Sequence, residues 1–170
     1  MKFRSFLFLT LFLLTAVLPV TAQHNSDMTT FVLVRHAEKV DDSEDPDLSE
    51  DGYERAERLA EMLQNIPFDA VYSTERIRTM ETVRPVAEAR NLYIRGYESN
   101  DPKSVTEGWI VQHSGETILV SGHSNTIPHF ANALLEKEYY KNVFDESDYG
   151  NLLIITIDSE MKRKMLPLRY

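Results

Sequence analysis

The 170-residue chain has no cysteine, a single tryptophan and six glycines. Without cysteine there is no disulfide, no thiolate metal site and no thiol nucleophile, so the fold rests on its core and any covalent chemistry on other side chains. Positive charge is also scarce: 18 Lys and Arg stand against 27 Asp and Glu, a net charge of −9. Binding to a nucleic-acid backbone through bulk charge is therefore not expected. There is no internal repeat and no low-complexity tract.

Long apolar runs are confined to one place. Phe6 to Val20 is almost wholly apolar, follows Lys2 and Arg4, and leads to the small residues Val20-Thr21-Ala22, the layout of a secretory signal peptide cleaved before Gln23. The stretch is broken by Thr and by Pro19 and falls short of the roughly 20 residues that a spanning helix needs, and no Cys follows Ala22 to carry a lipid. Residues 1–22 are expected to be a signal peptide and residues 23–170 a single domain with its own core. The mature chain would carry 16 basic and 27 acidic side chains, a net charge of −11. It would be secreted or periplasmic, without stable membrane association once the signal is removed.

The remainder alternates strand and helix patterns. Strands are expected at Thr30 to Arg35, Phe68 to Tyr72, Leu92 to Gly96, Thr117 to Ser121 and Asn151 to Asp158, with a sixth at Met165 to Arg169. Ser49 opens a helix through about Asn65, with Glu50 and Asp51 in its first turn and Tyr53, Ala56, Leu59, Ala60 and Leu63 as its buried face. Ser73 or Thr74 can cap a second helix, and Pro85 inside it either kinks it or starts a new one. Val105 to His113 reads as a short helix with Trp109 and Ile110 inward, and Thr126-Ile127-Pro128 starts another through about Glu136. This alternation indicates an α/β fold, a three-layer α/β/α sandwich around a largely parallel sheet. The long 136–150 connection reads either as a lid or as a surface excursion.

Two segments carry the chemistry. Phe31-Val-Leu-Val-Arg35-His36-Ala-Glu-Lys39 and Ile118-Leu-Val-Ser-Gly122-His123-Ser124-Asn125-Thr126 are both apolar runs that stop at a histidine. In open α/β sheets the ligand site forms just past the carboxyl ends of the strands, so His36, His123 and Arg35 would meet at one sheet edge. Arg35-His36-Ala37-Glu38 after a strand, an Arg-bearing helix following Ser73-Thr74, and Gly122-His123-Ser124-Asn125-Thr126 after a later strand together resemble the histidine phosphatase superfamily, the group of phosphoglycerate mutases and acid phosphatases. The resemblance implies a phosphoglycerate-mutase-like fold and hydrolysis of phosphomonoesters or phosphohistidine through a phosphohistidine on His36. It implies that Arg35, Arg78 and His123 surround the phosphoryl oxygens with His36, with no metal and no cofactor. In the family the helix arginine precedes a Thr by four residues, which selects Arg78, four before Thr82, over Arg76.

Phosphoryl transfer is largely a matter of positioning and charge stabilisation, and the planar fork of Arg binds phosphate in bidentate fashion. A neutral imidazole is a competent nucleophile near neutral pH. The general acid is less defined. Asn125 stands where some acid phosphatases of the family carry an Asp, so Glu98 is the candidate proton donor, with Asp101 next. Arg76 is expected as an exposed helix charge, His113 and His129 as surface or packing residues, and Glu38 with Lys39 as a pair bracing the loop. Substrates would be small phosphorylated molecules or phosphoproteins, not nucleic acid. The alternatives are a non-catalytic phosphate-binding or anion-binding module of the same fold, and a phosphoglycerate-mutase-type phosphotransferase. A metal site built on His36 and His123 is disfavoured because no His pair sits at helical spacing.

Overall fold

A computed structural model of the chain describes residues 28–170. The signal peptide expected over residues 1–22 lies outside them. Six strands form one sheet: β1 (Met28–Arg35), β2 (Ala70–Ser73), β3 (Ile94–Gly96), β4 (Thr117–Gly122), β5 (Asn151–Asp158) and β6 (Arg163–Arg169). The helices are α1 (Glu50–Met62), α2 (Ile77–Glu88), α3 (Pro102–Gln112) and α4 (Ile127–Leu135). The order across the sheet is β3-β2-β4-β1-β5-β6, with β3, β2, β4 and β1 parallel and β5 and β6 added antiparallel at one side. The sheet is therefore mostly parallel, as the helix-strand alternation requires.

Each face of the sheet is covered by helices, because the central strands are apolar on both faces. On one face Phe31, Leu33, Ile118 and Val120 pack against Trp109 of α3 and Phe130, Ala131 and Leu134 of α4. On the other, Val32, Val34, Val71 and Leu119 pack against Leu59 and Leu63 at α1 and Val83, Val86 and Ala87 of α2. Burying each such side chain contributes about 1.5–3 kcal/mol, which ties the helices to the strands that end at the histidines.

Ser49 caps α1, accepting from the Gly52 amide at 3.1 Å. Gly52 admits no larger residue, since a Cβ there would lie 2.2 Å from the Glu38 carbonyl oxygen, where α1 crosses the segment after His36. Tyr53 departs from the expected buried face: it is 43% exposed, and its hydroxyl donates to Asp47 at 2.7 Å. A polar tip with a carboxylate in reach stays at the surface despite helical spacing. The start of α2 also differs from expectation. Ser73 still belongs to β2, Arg76 occupies the N-cap position without a side-chain bond, and the Ile77 amide donates at 3.0 Å to Asp45 of the acid-rich segment 41–47 between β1 and α1. Pro85 lies within a single helix. Among the described residues no helix is long and apolar enough to cross a membrane.

Candidate active site

The site begins with a backbone register. Arg35 pairs with Gly122 across the parallel β1 and β4, and the His36 amide extends the ladder to the Gly122 carbonyl at 2.9 Å. The residue after each strand is a histidine, so His36 and His123 stand side by side with ring centroids 5.4 Å apart. Thr74, just past β2, completes the edge: its hydroxyl lies 3.0 Å from His123 Nε2.

His36 is buried, and its Nδ1 lies 2.7 Å from the Ala37 carbonyl oxygen. A carbonyl only accepts, so Nδ1 carries the hydrogen and Nε2 keeps the lone pair. The Ala37 amide in turn donates to Thr82 Oγ1 at 2.9 Å, and that hydroxyl donates to the Arg78 carbonyl at 2.7 Å. Thr82 thus clamps the nucleophile segment to α2. Burial drives the His36 pKa down from 6.5 to about 3; the Ala37 carbonyl opposes this, and the charges of Arg35 and Arg78 add to it. His123 falls to about 4 through burial and the nearby charges of Arg78, Arg76 and Arg35. Both imidazoles are neutral at neutral pH.

The Arg35 side chain is fully buried. Its Nη1 donates to the carbonyls of Asp145 at 2.7 Å and Asp148 at 3.1 Å, and its Nη2 donates to the Glu146 carbonyl and carboxylate, both at 2.9 Å. The Tyr149 ring lies 4.2 Å from the guanidinium carbon. Arg78 approaches from α2, its Nη2 at 3.5 Å from His123 Nδ1 and its Nη1 at 3.5 Å from Asp45. At this site three buried guanidinium nitrogens, Arg35 Nε and Arg78 Nε and Nη1, have no hydrogen-bond partner among the described residues. Buried donors without partners are costly, and a cluster of them on two cations is a seat for an anion. His36, Arg78 and His123, with Lys39, Ser124, Asn125 and Glu146, line a cleft of about 350 Å³ beside these donors.

The other expected residues fall outside this cluster. Glu98 is exposed and lines an adjoining cleft of about 480 Å³ with Thr74, Glu75, Arg76, Tyr97 and His123. Asp101 is the N-cap of α3, accepting from the Ser104 amide at 3.1 Å, a structural use of the carboxylate. Arg76 is exposed. His113 is buried between the Tyr72 hydroxyl at 2.9 Å and Glu116 at 2.6 Å, and His129 is exposed. Glu38 and Lys39 do not pair with each other: Glu38 takes a bidentate contact from Arg55, and Lys39 turns to Asp42 at 2.5 Å. Reasoning from sequence quotes Ser124 in the motif after β4 without giving it a role, and overlooks Glu146 and Tyr149 as site residues. For Glu146 and Tyr149 the one signal is the length of the 136–150 connection. Among the described residues no group of three or more His, Cys, Asp or Glu is arranged to hold a metal ion.

Known proteins agree with this architecture. The model of the histidine phosphatase superfamily, branch 1, matches residues 31–99. Phosphoserine phosphatase 1 of Hydrogenobacter thermophilus is 39% identical over 74 residues, 39% of this chain and 35% of that protein, so the match spans about a third of the relative's length. Among solved structures, the protein histidine phosphatase SixA complexed with tungstate has a TM-score of 0.69 at 16% identity, over 82% of this chain and 96% of that one. Phosphoserine phosphatase from Entamoeba histolytica, in complex with 3-phosphoglyceric acid, has a TM-score of 0.65 at 18% identity, over 84% and 97%. These two share the fold. With the Arg35-His36 segment inside the matched residues and His123 beside it across the central strands, the chain is similar to the histidine phosphatase superfamily in its matched segment and in its fold.

Proposed function

We propose that this protein is an exported, metal-independent phosphatase that hydrolyses phosphomonoesters or phosphohistidine through a phosphohistidine on His36. The observation that carries the reading is the pair of neutral imidazoles 5.4 Å apart beside buried guanidinium donors that lack partners. In the first step His36 Nε2 attacks phosphorus, the bond from phosphorus to the ester oxygen breaks, and the leaving oxygen takes a proton, supplied by Glu98 where that oxygen is strongly basic. In the second step water attacks phosphorus, the Nε2–phosphorus bond breaks, and inorganic phosphate leaves with the imidazole restored. Arg35, Arg78 and His123 hold the phosphoryl oxygens throughout, where charge develops.

The names of the similar proteins, phosphoserine phosphatase and protein histidine phosphatase, support a small phosphorylated molecule or a phosphoprotein as substrate. The leader-like pattern of residues 1–22 supports a secreted or periplasmic location. The test is hydrolysis of p-nitrophenyl phosphate by the mature chain and its His36→Ala variant, with alkaline-quenched phosphoryl labelling of both. The wild type turns over and is labelled, and His36→Ala does neither. A wild type that binds phosphate yet never turns over would leave the anion-binding module in its place.

A further inference from the structure

The connection from α4 to β5 is anchored before it reaches the site. Asn132 of α4 donates to the Tyr140 carbonyl at 2.7 Å and accepts from the amides of Tyr139 and Tyr140, and the Phe144 amide donates to the Ser124 carbonyl at 3.0 Å. The chain then turns tightly, the Ser147 amide donating to Asp145 Oδ1 at 2.8 Å and the Asp148 amide to the Asp145 carbonyl at 3.0 Å. Arg35 lies under this turn and binds three of its carbonyls. The backbone of Glu146 is therefore fixed at the site. Its side chain is 75% exposed, and its carboxylate accepts from Arg35 Nη2 and from the Ser124 hydroxyl.

The arithmetic of Arg35 shows what this carboxylate occupies. Nη1 donates to two backbone carbonyls and Nη2 to a third, which leaves the edge formed by Nε and Nη2 as the one that backbone does not close. On that edge Nε has no partner, and Nη2 also donates to the Glu146 carboxylate. That edge is the one a phosphoryl group takes in bidentate fashion. We propose that Glu146 is a specificity-determining residue, an internal monoanion seated on the phosphoryl-binding edge of Arg35, which yields by side-chain rotation to dianionic ligands and excludes monoanionic ones.

The physical reason is a competition. Arg35 is buried but the Glu146 side chain is 75% exposed, so water competes for its carboxylate, and a dianion that also engages Arg35 Nε and the Arg78 donors displaces it. A free carboxylate brings no more charge than Glu146 and must also give up its translational freedom on binding, so it does not. The backbone stays in place, held by Arg35, and no loop opening is required. The proposal rests on the phosphatase reading, since the phosphoryl group is the ligand it concerns.

The test is calorimetric titration of the mature wild type, Glu146→Ala and Glu138→Ala with inorganic phosphate at about pH 8, where phosphate is chiefly dianionic. Glu138 is an exposed acid of the same connection and controls for bulk charge. Removing the seated carboxylate is expected to tighten phosphate binding about tenfold, as loss of a weak internal competitor should. Glu138→Ala should match the wild type. Excess acetate should then compete with phosphate in Glu146→Ala and not in the wild type, and KM for p-nitrophenyl phosphate should fall with the dissociation constant. Equal or weaker phosphate binding by Glu146→Ala, the same tightening in Glu138→Ala, or acetate competition in the wild type overturns the proposal. Absence of phosphate binding in all three proteins overturns the phosphatase reading along with it.

Discussion

Arg78→Met separates catalytic from structural contributions at this site. Methionine retains an apolar stem of similar reach and removes the guanidinium, so packing against α2 is largely kept. Two Arg78 nitrogens, Nε and Nη1, are buried without hydrogen-bond partners, and Asp45 at 3.5 Å is a charge neighbour rather than an acceptor. If each of these nitrogens donates to a phosphoryl oxygen in the transition state, at about 1.5–3 kcal/mol apiece, kcat/KM falls by roughly 10²–10⁴. The resting protein gains nothing comparable from the group. Burial lowers the Arg78 pKa, Arg76 and Arg35 lower it further, and Asp45 and Glu146 offset part of this, so the charge is held at a cost. Losing it should leave the melting temperature unchanged or raise it by about 2–4 °C for each kcal/mol relieved. The assays are p-nitrophenyl phosphate hydrolysis and differential scanning calorimetry on the same preparations. A melting temperature lower by more than about 6 °C, or kcat/KM within threefold of the wild type, would refute the reasoning.

Thr82→Val removes the hydroxyl that accepts from the buried Ala37 amide, and leaving that donor unpaired should cost about 1–3 kcal/mol in chemical unfolding. It should also reduce kcat more than it raises KM, because it loosens the segment that carries His36; unchanged stability would show that the clamp is unimportant. His36 and His123 titrate at about 3 and about 4 in the folded protein against 6.5 unfolded. Between those values the unfolded chain binds more protons, so stability falls as pH drops below about 6.5. Each histidine accounts for about 2 kcal/mol of that loss by pH 5. His36→Asn should flatten this dependence in unfolding titrations at pH 7.5 and 5, and identical slopes would contradict the assigned shift. Glu98→Gln should slow alkyl phosphates more than aryl phosphates, whose leaving oxygens need no proton; equal loss on both removes Glu98 from the proton-donor role.

The sheet and the paired histidines were legible in the sequence because strong local signals and the tertiary outcome coincide there. Phe31 to Val34 and Ile118 to Val120 are apolar on both faces, as a central strand requires, and the strand that holds each run ends next to a histidine. Legibility fails where one partner comes from far along the chain. Thr74 reads as a helix cap from its neighbours, yet its hydroxyl lies at His123, 49 residues away. Asp45 reads as a solvated loop acid, yet it receives the first amide of α2 and stands near Arg78. Glu146 is the extreme case. Its position follows from a turn whose carbonyls are collected by Arg35, 111 residues earlier, and no periodicity in residues 136–150 encodes that.

The bond from the His36 amide to the Gly122 carbonyl is the last rung of the central β1–β4 ladder. Central strands open to solvent only in the rarest, most global fluctuations. The His36 amide should therefore exchange with deuterium among the slowest in the protein. A change of side chain at Glu146, on a turn that Arg35 holds by its backbone, leaves this rung and the register of the paired imidazoles untouched.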